Sequence, residues 1–276
     1  MAVDEIKRIE ALLSTYQADS LTNQINDAAG LHPVAVTEEF FQLVLRCQRI
    51  SSLTQGAFDL TYGSVDKKLW NFDRTMTALP DEATAKKSVR LINYKWIELD
   101  PQAKTIFLKK KGMRIGFGGI GKGYAADQAK HLLVGLGYEN GLVNASGDMC
   151  AWGFRADGNP WHVGIVDPDH PKDVLADFDL VNAAVATSGT YEKFVLIDGK
   201  RYSHTIHPKT GMPVQGVKSV SVFAPFAELA DALTTPIAVM GVEVGLDLVN
   251  QLQGVTCVIV DDENQVHFAK KIDVCV

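Results

Sequence analysis

Gly116-Phe117-Gly118-Gly119-Ile120-Gly121-Lys122-Gly123-Tyr124-Ala125-Ala126-Asp127 is the stretch on which the reading of this chain turns. Five of its first eight residues are glycine, and a lysine stands among them. The residues before it, Thr105 to Leu108 and then Met113 to Ile115, have the character of a strand. The residues after it, Tyr124 to Leu136, have that of a helix. A strand, a glycine-rich turn and a helix start make an anion site. Glycine lets the backbone approach a phosphate closely, the helix N-terminus offers free N–H groups, and Lys122 adds a full charge. The same glycines would equally suit a tight turn that serves packing alone. Gly116 to Lys122 also fits the opening G-x-x-x-x-G-K of a nucleotide-binding P-loop. That loop requires a Ser or Thr hydroxyl next, to reach magnesium, and this chain has Gly123. The P-loop reading is set aside, and metal ligands are sought further along.

The chain has 276 residues, 46% hydrophobic and 22% charged, which is ordinary for a globular protein with a sizeable core. A net charge of −6 argues against a broad nucleic-acid footprint but leaves room for a small anionic ligand. Cys47, Cys150, Cys257 and Cys275 are scattered without a C-x-x-C pair, so zinc is not expected and spacing assigns no disulfide. No apolar run approaches the ~18 residues of a membrane span. The opening Met1 to Lys7 reads as an amphipathic helix start and not as a signal peptide. The expectation is a cytosolic protein, or one whose export signal lay upstream.

Outward from the glycine turn, Ile6, Ile9, Leu12 and Leu13 mark a helix over 4–15. Asp19-Ser20 caps a second helix reaching Ile25, with Tyr16 in the joint. Thr37-Glu38-Glu39 opens a helix to about Thr54 with Phe40, Phe41, Val44, Leu45 and Ile50 on one face. Gln55 to Gly63 is a loop with two aromatics and the carboxylate of Asp59. It is either a tucked surface turn or the edge of a site for a planar heterocycle. Trp70 and Phe72 are assigned to the core. Residues 73–90 read as a linker and a helix entered at Pro80-Asp81-Glu82, and Trp96 to Leu99 with Thr105 to Leu108 as a hairpin. Gly141 to Ala145 reads as a buried strand and Asn144 to Asp148 as a polar turn. Strands dominate afterwards: Trp161 to Val166, Val174 to Leu180, Ala184 to Thr187, Lys193 to Leu196 and Ser219 to Phe223. A type I′ turn is expected at Asp198-Gly199. A helix over Glu228 to Met240 is expected to be interrupted by Pro236, and Thr256 to Val260 with Gln265 to Phe268 closes the chain as a hairpin. Helices mainly in the N-terminal half and a mixed or antiparallel sheet in the C-terminal half predict an α+β fold.

Two places could carry chemistry. Asp231 and Thr235 stand four apart on a predicted helix, so both oxygens share a face. With a backbone carbonyl they would make a hard ligand set suited to Mg²⁺. The bland alternative is a capping aspartate and a core-facing threonine. His204, on a strand running into a Pro-x-x-Gly turn, could accept a proton near neutral pH or could be a structural hydrogen-bonding residue. His207 is open to the same two readings.

Together these segments resemble the FAD:protein FMN transferases of the ApbE type. The matching stretches, in the family's order, begin with Leu13-Ser14-Thr15-Tyr16-x3-Ser20, Gly56 to Thr61 and Leu69-Trp70-Asn71-Phe72. The Gly118 to Asp127 turn, Val143 to Asp148 and Ala186-Thr187-Ser188-Gly189 follow. Ser203-His204-x3-Pro208-x-Thr210-Gly211-x-Pro213 and Ala230-Asp231-Ala232-x2-Thr235 complete the set. The resemblance implies a single flavin transferase domain over 1–276 that takes FAD as substrate with Mg²⁺. FMN would pass to a Thr or Ser hydroxyl of an acceptor protein, and AMP would leave. Gly119 (through its carbonyl), Asp231 and Thr235 match the magnesium ligands. Tyr16 matches a flavin-stacking residue; Ala57, Phe58 and Asp59 match a flavin-edge loop; Gly116 and Lys122 fall on phosphate- or adenosine-side positions; Ile206 is a pocket wall. His204 matches a catalytic base, with Asp231 as its competitor.

The resemblance further implies a subunit of a membrane redox complex as acceptor, no nucleic-acid partner, and a periplasmic or membrane-anchored location. Three positions depart from the family pattern: Gly116 stands for its usual Asp, His207 for the Asp of the Asp-Pro-x-Thr-Gly turn, and Pro236 follows the metal threonine. A Met-Gly-Thr segment on an N-terminal strand of the family has no counterpart here. A Mg²⁺-dependent FAD pyrophosphatase, yielding FMN and AMP, and a flavin-binding carrier without turnover are the competing functions.

Overall fold

The computed structural model describes residues 1–66, 69–70, 76–170, 172–189 and 194–269. The N-terminal half carries α1 (Ala2–Leu13), α2 (Leu21–Asp27), β1 (Val34–Ala35), α3 (Glu38–Leu53), α4 (Glu82–Ser88), β2 (Ile97–Asp100), β3 (Thr105–Leu108) and α5 (Gly121–Gly135). There follow β4 (Gly141–Ala145), β5 (Asp148–Trp152), β6 (Trp161–Val166), β7 (Val174–Leu180), β8 (Ala184–Gly189), β9 (Phe194–Ile197) and β10 (Lys200–Ser203). The chain then forms β11 (Val217–Ala224), α6 (Ala227–Met240), α7 (Val242–Asn250), β12 (Thr256–Asp261) and β13 (Val266–Phe268). The α+β class read from the sequence is the observed one.

Local chemistry explains most boundaries. Ser20, Thr37 and Asp81 each accept a hydrogen bond from the amide three residues on, so α2, α3 and α4 begin where a side-chain oxygen satisfies a free N–H. Helix α3 buries Phe40, Leu43, Val44 and Cys47, an i, i+3, i+4, i+7 stripe. Asp198 (φ 50°) and Gly199 (φ 75°) make the left-handed pair that joins β9 to β10.

Four expectations are corrected. Met113 to Ile115 is not a strand. Asn26 takes the place of a neighbouring strand, accepting from Ile115 N (2.6 Å) and donating to Ile115 O (3.1 Å). Helix α5 starts at Gly121, ahead of Tyr124. Pro236 does not interrupt α6. An interior proline costs a helix about 3 kcal/mol, and Leu233 and Ile237, both fully buried against the sheet, offset it. His204 falls just beyond β10 rather than inside a strand. Trp70 is buried as expected and donates its Nε1–H to Ser88 Oγ at 3.1 Å. Phe72 and Cys275, like 73–75 of the expected linker, lie outside the described residues.

The chain divides into two compact units. The first holds the described residues of Met1–Ile9, Gly118–Lys193 and Val214–Val276. Its frame is a six-stranded antiparallel sheet in the order β13-β12-β11-β8-β5-β4. Alternation along β11 sends Val220, Val222 and Ala224 to the face covered by α6 and α7, while Phe223 points to the opposite face. There it meets Val163, Ile165 and Leu180 of the β6–β7 hairpin. The second unit, the described residues of Glu10–Phe117 and Phe194–Pro213, contains a three-stranded sheet in the order β1-β3-β2, the β9–β10 hairpin, and α2 to α4. A cluster of Trp70, Ala85, Val89, Val195 and Ile206 ties α4 to that hairpin. No helix among the described residues is long and apolar enough to cross a membrane.

Candidate functional site

In the first unit the glycine turn leads into α5, and α5 crosses α6 at Gly123. A Cβ there would sit 2.1 Å from Ala227 O, so only glycine permits the approach. The residue that disqualifies a P-loop is thus set by helix packing. Its N–H donates to Asp231 Oδ2 at 3.1 Å. One turn on, Asp127 accepts from Ala227 N (3.1 Å) and Glu228 N (2.8 Å). It caps α6, whose own N-cap, Phe226, offers no side-chain bond.

Beside this crossing lies a cluster of charge. Ser146 (φ 56°) and Gly147 (φ 98°) reverse the chain between β4 and β5. Asp148, the first residue of β5, then comes to lie buried, 3.1 Å through Oδ2 from Lys122 Nζ on α5. Oδ2 meets no hydrogen-bond donor at an acceptable angle, although it is buried. Asp231 is also buried. Burial first, and the neighbouring Asp148 charge second, push its carboxyl up to about 8, against the pull of Gly123 N–H and Lys122. Burial likewise raises Asp148, opposed first by Lys122. Two buried acids therefore lie beside one ammonium.

That arrangement fits a hard divalent cation. The donors on hand are carboxylate, the Thr235 hydroxyl one helical turn from Asp231, and the carbonyls of the glycine turn; all are oxygen. Thr234 is spent on the backbone, donating to Asp231 O at 2.8 Å, while Thr235 stays partly exposed. Gly119 is also partly exposed, and a Cβ at Gly118 would meet nothing within 4 Å, so the turn leaves room for a ligand. Among the described residues no group of three or more His, Cys, Asp or Glu is placed to hold a metal ion.

The remaining expected residues belong to the second unit. Tyr16, in the joint between α1 and α2, is 91% exposed. Phe58 is buried. Asp59 accepts from Thr61 N (2.8 Å), Thr61 Oγ1 (2.6 Å) and Tyr94 N (2.8 Å), bolting the loop after Ala57 to Tyr94. Gly116 donates its N–H to Leu60 O at 3.0 Å. Ile206 is buried and donates its N–H to Tyr62 Oη at 2.8 Å; burial pushes that phenol up to about 12. His204 is partly exposed, between β10 and the bridge that pairs Ile206 with Pro213. His207 Nδ1 accepts from Lys209 N (3.1 Å) and Thr210 N (3.4 Å), the task an aspartate would perform at the start of this turn. Burial lowers its pKa, in keeping with a neutral acceptor. A cavity of about 490 Å³ opens beside this loop, lined in part by Gly56, Asp59, Tyr94, Lys95, Pro208 and Lys209.

Of the residues singled out from sequence, Lys122, Asp231, Thr235 and the glycine turn with Gly119 gather at the α5–α6 crossing of the first unit. Asp148 and Asp127 were not singled out. Asp148 stood only inside a quoted motif, and nothing in its neighbours showed that the sheet would carry it to Asp231.

Comparison with known proteins gives a consistent picture. The ApbE family model matches residues 1–259. A FAD:protein FMN transferase of Klebsiella pneumoniae is 32% identical over 257 residues, spanning 92% of this chain and 79% of that protein. One from Treponema pallidum is 32% identical over 279 residues, spanning 95% and 76%. Among solved structures, the ApbE protein of Thermotoga maritima superposes with a TM-score of 0.88 at 32% identity, covering 98% of this chain and 87% of that one. The apo flavinyl transferase ApbE of Pseudomonas stutzeri gives 0.84 at 28%, covering 98% and 86%.

Proposed function

The chain belongs to the ApbE family, and we propose that it transfers FMN from FAD to a Thr or Ser hydroxyl of an acceptor protein, with Mg²⁺. The observation that carries the reading is the buried Asp148–Asp231 pair beside Lys122 and the open glycine turn. It is a corner short of positive charge next to a loop suited to phosphate. Gly119, Asp231 and Thr235 would hold the cation, whose charge would neutralise the diphosphate during transfer. Lys122 adds a second positive charge toward the phosphates. Tyr16, Ala57, Phe58, Asp59, Gly116 and Ile206 are assigned to the flavin and its ribityl and phosphate side, the side chain of Asp59 by fixing the loop.

The acceptor hydroxyl oxygen bonds to the FMN-side phosphorus, and the bond from that phosphorus to the oxygen bridging to AMP breaks. The hydroxyl proton passes to His204, and AMP departs with the electron pair. The acceptor is taken to be a subunit of a membrane redox complex, and the protein to be periplasmic or membrane-anchored, both on the strength of the family resemblance. The assay is incubation with FAD, Mg²⁺ and a threonine-bearing acceptor peptide. Flavin fluorescence on the peptide with equimolar AMP is the expected result. Free FMN with an unlabelled peptide would mean hydrolysis, and intact bound FAD would mean a carrier; either outcome contradicts transfer.

A further inference from the structure

We infer that Asp148 is a positioning residue for the transfer reaction: it tethers the Lys122 ammonium beside Asp231 and keeps it from clamping the diphosphate in the ground state. The inference deepens the transferase reading and rests on it. Three observations support it. First, the Asp148 carboxyl is almost wholly buried, yet its nearest cationic group is Lys122, whose side chain is 42% exposed. The rigid member of the pair is the aspartate, and the lysine is the arm that it anchors. Second, the anchor is itself fixed. It opens β5 directly after a left-handed turn, lies in register opposite Ala145, and has the backbone amide of Thr187 on the adjacent part of the sheet against it. Third, the oxygen that faces Lys122, Asp148 Oδ2, is buried and takes no hydrogen bond of good geometry from the rest of the fold, so the ammonium at 3.1 Å is the charge that answers it.

A lysine on a free four-carbon stem would settle on whichever anion is nearest and bind FAD more tightly without favouring the transition state. A lysine pinned by a buried carboxylate is oriented before substrate arrives, so less of its ordering falls on the reaction step.

The test is a double-mutant cycle with Asp148→Asn, which keeps volume and removes charge, and Lys122→Met. FAD affinity, the transfer rate at saturating FAD, and the rate at which Lys122 is acetylated relative to the exposed Lys95 are measured for each. Asp148→Asn should leave the Kd for FAD unchanged or lowered, because a negative charge near the diphosphate is gone. It should slow transfer about tenfold, on the order of one misplaced charged contact. It should also raise Lys122 acetylation severalfold, because the tether is cut. In the Lys122→Met background Asp148→Asn should add nothing to the rate loss. Additive rate losses, a raised Kd with unchanged turnover, or unchanged Lys122 acetylation would each overturn the inference. The acetylation readout needs neither FAD nor acceptor, so a wild-type protein that fails to transfer FMN would sink the transferase reading while this measurement still decides the tether.

Discussion

Asp59 and Asp231 are both buried aspartates, one in each unit, and their surroundings differ in kind. Asp59 takes two donors on one oxygen and a third on the other, from Thr61 and Tyr94. Asp231 has the Gly123 amide and, beside it, a second carboxylate. Burial raises both, but at Asp59 the opposing causes are hydrogen bonds, whereas at Asp231 the neighbouring Asp148 charge adds to the rise. A carboxylate with its donors complete holds the fold together. One that faces a second carboxylate is what the proposed cation would balance. Burial alone does not separate the two; the inventory of partners does.

The largest effect should fall on Asp231. Asp231→Ala is expected to lower Mg²⁺-dependent transfer by about 10³-fold or more, as loss of a charged ligand and its stabilisation of transition-state charge would. The metal-free variant should meanwhile stay folded, with a wild-type circular dichroism spectrum. A variant that turns over at the wild-type rate would break the contrast at its chemical end. Asp59→Ala should do the reverse. Stranding three donors costs roughly 3 kcal/mol, so chemical denaturation should show a much lower midpoint. An unchanged midpoint would mean that Asp59 is not the bolt described above.

His204→Ala sharpens the contrast within the second unit. Removing a proton acceptor should slow transfer by ~10²-fold while leaving FAD affinity within about twofold. A large loss of binding in calorimetry would make His204 structural. The smallest effect concerns pH. Burial, and then the neighbouring Asp148 charge, push the native Asp231 carboxyl up to about 8, above its ordinary value of 3.8, so the folded state holds the proton more tightly. Its contribution to stability is present below about 4 and is lost as pH rises toward 8. The metal-free protein should therefore melt lower at pH 8 than at pH 5, and Asp231→Asn should flatten that slope. A melting temperature of the wild type that rises across this range would contradict the assignment.

The fold was legible wherever local chemistry decides it. The caps at Ser20, Thr37 and Asp81, the stripe on α3 and the left-handed pair Asp198-Gly199 each carry their reason within a few residues. What escaped depends on partners distant in the chain. Asn26 replaces a strand for Ile115, Asp127 caps a helix that begins 100 residues later, and the sheet around α6 outweighs Pro236. The site divides the same way. Asp231 and Thr235 are visible as an i, i+4 pair, and Lys122 as the charge in a glycine turn. Asp148 is invisible until the β4–β5 hairpin and the β5–β8 pairing bring it under α5. His207 could be read only as a departure from an aspartate until its Nδ1 was seen to accept the amides that an aspartate would.

The corner formed by Asp231, Asp148 and Lys122 is proposed to take up a divalent cation. That uptake is tested most directly by titrating Mn²⁺ into the protein with FAD present and following the free-ion EPR signal, for the wild type and for Asp231→Asn. One tight site is expected in the wild type and none in the variant. Equal Mn²⁺ binding by the two proteins would contradict the proposal.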